Sequence, residues 1–327
     1  MRKAARRLAG AFAGRFVGAE GLARWARSRG YRGLALNYHV MHASSMETHL
    51  DILESLFVIV SVDELLVRAR SPQQAGGRMP VALTFDDGKR SNLTEVVPVL
   101  ERRGRHATFF ITSEPSRTGG LHWFDLARRI EKARRDREAA GADLARFNVR
   151  RALKRTDAAH RNEMLASMAA ELGIDAVPRD DDERPLSSAE VAEVARRGFT
   201  VGSHSATHPI LTEESEGRVR EEIERSRRTI GEWIGAPVRH FAYPNGNASD
   251  LTEAITRAAG YEAAWTTLQL WVAAGENEHR LPRVQFFERY DRGEIALKAA
   301  LSTMRVLPNA DGTGYAYRDA GRGPTAR

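Results

Sequence analysis

The chain has 327 residues, 42% of them hydrophobic, with a formal net charge of +7 and no cysteine. That length suits one large α/β barrel or two ordinary domains. The composition excludes disulfides, cysteine–zinc sites and thiol chemistry, and no stretch approaches the ~20 apolar residues needed to span a bilayer.

The charge is uneven. Residues 1–32 hold nine Lys/Arg against one acid, Glu20, while the remainder holds 41 basic and 42 acidic residues. A near-neutral body argues against a nucleic-acid partner. Within the basic segment, Leu8, Phe12 and Phe16 fall on one helical stripe behind Arg2, Lys3, Arg6 and Arg7. Such a helix suits peripheral contact with an anionic membrane, although Gly10, Gly14 and Gly18 weaken it by ~1 kcal/mol each. A basic leader, or a helix packed on the domain, is the plainer alternative. The apolar stretch "LAGAFAG" is too short for a secretory signal. The expectation is therefore a cytoplasmic protein, with membrane contact through residues 1–32 left open.

From residue 33 strands and helices alternate. "GLALNYHV" (33–40) reads as a strand, 46–56 as a helix, 57–61 as a strand and 71–80 as a loop. A strand at 81–86, a helix near 91–103 and a strand at 107–113 follow. Residues 121–185 are charged and helical, which reads as an insertion into the scaffold, the alternative being a small separate domain. Beyond it come a helix at 187–197, a strand within 198–205, a long helix near 212–234, and a strand-turn at 238–246. A helix near 249–259 and strands at 261–267 and 280–285 complete the body. This many βα units imply an α/β fold with a parallel barrel or a doubly wound sheet. The body spans 33–307, and 308–327 is a Gly-rich tail expected to be mobile.

Two clusters carry the chemistry. "VALTFDDG" runs an apolar strand into Asp86, Asp87 and Gly88. Successive side chains at a strand end point apart, so one carboxylate can hold a cation while the other faces a reacting water. A helix N-cap explains one aspartate but not both. "GSHSATHP" places His204 and His208 after a second apolar strand. Two histidines and a carboxylate form an open divalent-metal site, and in a parallel barrel the strand ends converge on one face. Two surface histidines are the plain reading of the H-x-x-x-H taken alone. "FAYPNG" (241–246) is a further strand-end turn whose amides could hold an oxyanion. His39 in "NYHV" and Arg283 in "LPRV" are weaker signals: a core histidine is the plainer reading of the first, and the second suits either a forked hold on a carboxylate or an ordinary surface ion pair.

Together these motifs resemble the NodB-homology polysaccharide deacetylases, carbohydrate esterase family 4, over roughly residues 33–285. "TFDDG" (84–88) matches that family's first motif, "SHSATHP" (203–209) its His-x-x-x-His motif, and "FAYPNG" resembles its third. The resemblance implies a distorted (β/α)7 barrel of NodB-homology type. It implies Asp86 as general base, and Asp87, His204 and His208 as ligands of a divalent metal, usually Zn²⁺. Ala242 stands where many members carry an arginine, and no late catalytic histidine is evident. In both respects the sequence is similar to the branch acting on poly-N-acetylglucosamine. That similarity points to His39 as general acid, with His279 next, and to Arg283 as partner of Asp86. Tyr243, Asn245 and Trp265 are the expected oxyanion and substrate contacts, with core packing the plainer role for Trp265, and His122, Trp123 and Phe124 of "HWF" are further candidates for stacking on a sugar ring. The expected reaction removes N-acetyl groups from an amino sugar in a poly- or oligosaccharide. Alternatives are a deacylase of a lipid-linked sugar or non-carbohydrate amide, and an inactive carbohydrate-binding barrel.

Overall fold

The computed structural model describes residues 18–71, 77–139 and 149–302. Seven parallel strands form the scaffold: β1 (Tyr31–Tyr38), β2 (Phe57–Val60), β3 (Met79–Phe85), β4 (Thr108–Ile111), β5 (Thr200–Ser203), β6 (His240–Ala242) and β7 (Ala263–Trp265). Their order is β7-β6-β5-β4-β3-β1, with β2 beside the first half of β3. Two short strands complete the sheet. β8 (Val272–Ala273) runs antiparallel to the start of β1, and β9 (Val284–Gln285) runs parallel to its end. Leu281 pairs with Trp265 of β7, so residues 281–285 touch both edges and curl the sheet. This is the expected distorted (β/α)7 barrel.

The strands read as continuous apolar runs because both of their faces are covered. On β1 and β3, Leu34, Leu36, Val81, Leu83 and Phe85 face the surrounding helices. Ala35 and Ala82 alternate with them and face inward, beside Phe110, Ala242, Trp265 and Leu281. The interior is tight. A Cβ on Gly202 would lie 2.5 Å from the Phe110 ring, so only glycine fits on β5 opposite that side chain. The amino-terminal mouth is closed by helix Val62–Arg70, whose Val62, Leu65, Leu66 and Ala69 join the inner cluster.

Several elements differ from the sequence reading. The late strands shrink to two or three paired residues each, because a strongly curled sheet pairs them only where they cross. Helices Val62–Arg70, Ser113–Thr118 and Arg292–Leu301 were not foreseen, nor was β8. The first of these is signalled by Ser61, whose side chain accepts from the Glu64 amide as an N-cap. Residues 121–185 contain helices Trp123–Ala139, Val149–Leu153 and Ala158–Leu172. These share a small core of Ala127, Ile130, Val149, Leu153, Leu165 and Ala169.

Helix Ala19–Ser28 buries Leu22, Ala23 and Ala26 against the main core. The Leu8–Phe12–Phe16 stripe and the tail at 308–327 lie outside the described residues. No helix among the described residues is long and apolar enough to cross a membrane.

Candidate active site

The site begins where β3 ends. The Asp86 amide donates to the Tyr38 carbonyl at 2.9 Å, one step beyond the last β1–β3 pair. Asp86 therefore keeps the inward direction of Ala82 and Thr84. Its carboxylate accepts two hydrogen bonds from Arg283, from Nη1 at 2.7 Å and Nη2 at 2.8 Å. Arg283 is itself fully buried. It donates from Nε to the Thr266 carbonyl at 3.0 Å and from Nη1 to Thr84 Oγ1 at 3.0 Å, and its guanidinium carbon lies 5.2 Å from the Phe110 ring centroid. Burial pushes the Asp86 carboxyl up, but the Arg283 charge and hydrogen bonds outweigh it and bring it down to about 2. The forked guanidinium holds the carboxylate in one orientation and ionised.

At the next residue the chain turns left-handed: φ is 72° at Asp87 and 59° at Gly88. Positive φ is costly for a residue with a Cβ, and the turn redirects Asp87 away from Asp86. A second such turn follows β5, with φ of 67° at Ser205 and 59° at His208. Ser205 Oγ accepts from the His208 amide at 3.0 Å, which pins this loop.

The His204 ring lies with Nδ1 2.7 Å from the Ala242 carbonyl. A carbonyl only accepts, so Nδ1 carries the proton and Nε2 presents its lone pair. That Nε2 lies 3.7 Å from Asp87 Oδ1, and His208 Nε2 lies 3.5 Å from the same oxygen. The three ligand atoms fall within 4.8 Å of one another, and all three residues are buried. Asp87 Oδ1 has no hydrogen-bond partner among the described residues. A buried, unpartnered carboxylate oxygen facing two imidazole nitrogens fits a divalent cation. Burial, then the neighbouring His204 and His122, hold His208 well below the ordinary histidine range. It is thus neutral, as a ligand must be.

The remaining candidates divide. His39 directly follows β1, beside Asp86 at the end of β3, and its charge acts on that carboxyl. Asn245 sits in the Pro244–Gly246 turn after β6 with φ of 58°, at the same end of the barrel. Gly246 is required there, since a Cβ would lie 2.1 Å from Thr267 Oγ1.

Three candidates lie elsewhere. Tyr243 is fully buried, its hydroxyl donates to the His279 carbonyl at 3.0 Å, and its amide donates to the Trp265 carbonyl at 3.0 Å. It can offer a substrate neither. Trp265 is fully buried in the barrel interior and cannot stack on a sugar ring. His279 Nε2 is 3.0 Å from the carbonyl of Tyr261, which precedes β7. That places it at the amino-terminal end, away from Asp86. "FAYPNG" thus serves the site through the Ala242 carbonyl on His204, a backbone role that residue type does not reveal.

Lys89 and Asp125 were missed, and His122 was expected only as an aromatic stacking on a sugar ring. Lys89, His122 and Asp125 form a buried polar cluster beside the Asp87 loop. The clue was present: a lysine directly after "TFDDG" cannot stay ionised in a buried loop without a carboxylate.

A parallel barrel with a buried Asp–His–His cluster at the carboxyl ends of its strands has the build of an enzyme site that could hold a metal ion. Residues 73–264 match the polysaccharide deacetylase family, and with more than half its length matched the chain belongs to that family. Solved structures share the fold. The Streptococcus pyogenes deacetylase PplD, in complex with acetate, superposes with a TM-score of 0.56 at 16% identity, covering 82% of this chain and 97% of that one. IcaB from Ammonifex degensii gives 0.56 at 18% identity, with 83% and 98% covered. A de-N-acetylase from Aggregatibacter actinomycetemcomitans gives 0.53 at 15% identity, with 82% and 99% covered. No curated relative matches the chain.

Proposed function

We propose that this protein is a metal-dependent deacetylase that removes N-acetyl groups from an amino sugar in a poly- or oligosaccharide. Family membership supports a hydrolase removing acetyl groups. The observation that carries the finer reading is the division of labour between adjacent aspartates. Asp86 is committed to Arg283, while Asp87 faces His204 and His208.

Asp87, His204 and His208 would hold the divalent ion, Zn²⁺ being the best match to two imidazoles and a carboxylate. When bound, it supplies Lewis acidity toward the acetyl carbonyl and the attacking water. The chain's own groups move the protons. Asp86, ionised and held by Arg283, takes a proton from the water as its oxygen bonds to the carbonyl carbon. His39, protonated, gives a proton to the nitrogen as the C–N bond breaks. Acetate and a sugar bearing a free amine result. The turn at Asn245 is the candidate backbone donor for the developing oxyanion.

The test is acetate release from N-acetylglucosamine oligomers by purified protein, stripped with chelator and resupplied with Zn²⁺, beside Asp86→Asn. Metal-restored release that Asp86→Asn abolishes is the expected result. Bound metal without release would overturn the carbohydrate assignment and point to a lipid-linked sugar or a non-carbohydrate amide.

A further inference from the structure

Both loops that carry the ligand side chains lean on one short stretch, residues 121–125, where the insertion's first helix begins. From the first loop Lys89, only 2% exposed, donates to Asp125 Oδ2 and, at 3.3 Å, to the Glu183 carbonyl. Its Nζ also lies 3.2 Å from His122 Nδ1. An ammonium only donates, so His122 Nδ1 accepts and its proton sits on Nε2. From the second loop the His208 carbonyl accepts from Trp123 Nε1 at 2.8 Å. The Phe124 ring meets the His208 ring nearly edge-on, with centroids 4.9 Å apart. Arg161, from helix Ala158–Leu172, lies 4.5 Å over the Trp123 ring.

The far end of the insertion closes the grip. The Leu186 amide donates to the Gly88 carbonyl at 2.8 Å. The Arg90 and Ser91 amides donate to the Arg184 and Asp181 carbonyls at 2.8 and 3.0 Å. The loop after Asp87 is thus bonded to both ends of the insertion.

Packing alone does not account for this. Burying an ammonium costs several kcal/mol even when it is paired, and an apolar side chain would fill the same space without that cost. What the ion pair and the indole hydrogen bond add is direction. Each fixes one backbone segment that contains a left-handed ligand residue, Asp87 or His208, and both are anchored within five residues of each other. We propose that residues 121–125, acting with Lys89, set the separation of Asp87 from His208 and thereby the affinity for the divalent ion. Lys89, Trp123 and Asp125 are positioning residues in this scheme, and the insertion is part of the metal centre. The inference rests on the metal-binding reading above.

The experiment is a Zn²⁺ competition titration against a chromogenic chelator, on the full chain, with the melting temperature of each metal-free protein measured in parallel. The variants are Lys89→Met, Trp123→Phe and the charge-free pair Lys89→Met/Asp125→Leu. Lys132→Ala, at an exposed site on the same helix, is the control. Loss of an outer partner of a metal ligand typically costs 10–100-fold in affinity. We expect at least 10-fold for Lys89→Met and for the double variant, several-fold for Trp123→Phe, which keeps an aromatic ring but loses the indole N–H, and no change for Lys132→Ala. Wild-type affinity in Trp123→Phe and in the double variant would overturn the proposal, even with lowered melting temperatures, since the insertion would then only add stability. A wild-type protein that binds no Zn²⁺ would remove the metal reading itself, a separate failure.

Discussion

The two ends of the barrel interior obey one rule and reach opposite results. At the amino-terminal end the inward positions are Ala35, Ala82 and Ala263, sealed by helix Val62–Arg70. At the carboxyl end the same alternation delivers Asp86, His204 and Arg283, all buried. The sheet supplies direction, and the side chain at each inward position decides between cohesion and chemistry. The apolar end lowers the free energy of the fold, while the polar end keeps charges out of water and two ligand residues in left-handed backbone. One end should therefore fail in stability when altered, and the other in activity.

The sharpest break is at Asp86. Asp86→Asn keeps the shape but removes the base and one of the two acceptors that Arg283 uses. A general base is worth ~10²–10⁴-fold, so kcat per folded molecule should fall about 10³-fold, while the melting temperature drops only by the loss of the ion pair with Arg283. Steady-state kinetics and a thermal scan on one preparation would check both halves.

Trp265→Ala is the mirror experiment in the apolar cluster of the interior. Truncating a buried aromatic costs about 3–5 kcal/mol. Chemical denaturation should show that loss, while acetate release per folded molecule stays close to wild type. A large kinetic defect with little destabilisation would collapse the distinction between the two ends.

Arg283→Met tests what joins them, since Arg283 reaches from the Phe110 layer up to Asp86. The folded Asp86 carboxyl lies below its ordinary value of 3.8, at about 2. The pair therefore contributes stability that is complete above the ordinary value and is lost as pH falls through about 2. That shift corresponds to about 2 kcal/mol. With methionine, burial dominates and raises the Asp86 pKa. The acid limb of kcat/KM should then move to higher pH. A pH–rate profile with an unmoved limb would show that Arg283 does not tune the base.

Ser61→Ala gives the smallest effect. It removes the cap of the sealing helix, costing about 1 kcal/mol, and should leave kinetics untouched.

How much of this was legible follows the same division. "TFDDG" and "SHSATHP" were readable because each is a local cluster at the end of an apolar run, and strand ends converge in a parallel barrel. His39 and Arg283 were weak local signals, and their roles could be assigned only through a family resemblance. Arg283 meets Asp86 across 197 positions of sequence, and no local pattern encodes that meeting. Tyr243 was misplaced, and Trp265 stood between a substrate contact and the core, because an aromatic beside a turn looks the same whether it faces solvent or core. Helix Val62–Arg70 was overlooked although Ser61 and Glu64 stand in capping register. The Lys89–Asp125 pair joins a strand-end loop to the insertion, so neither residue announced its partner.

The left-handed backbone at Asp87 has a consequence for laboratory evolution. Backbone strain of this kind is worth of order 1–3 kcal/mol per residue, and Asp87 adds a buried, unpartnered oxygen. Asp87→Gly relieves both, so in chelator the variant should outlast the parent on heating. A library screened for heat resistance under metal-free conditions would enrich that inactive substitution, whereas the same screen run in Zn²⁺ would counter-select it.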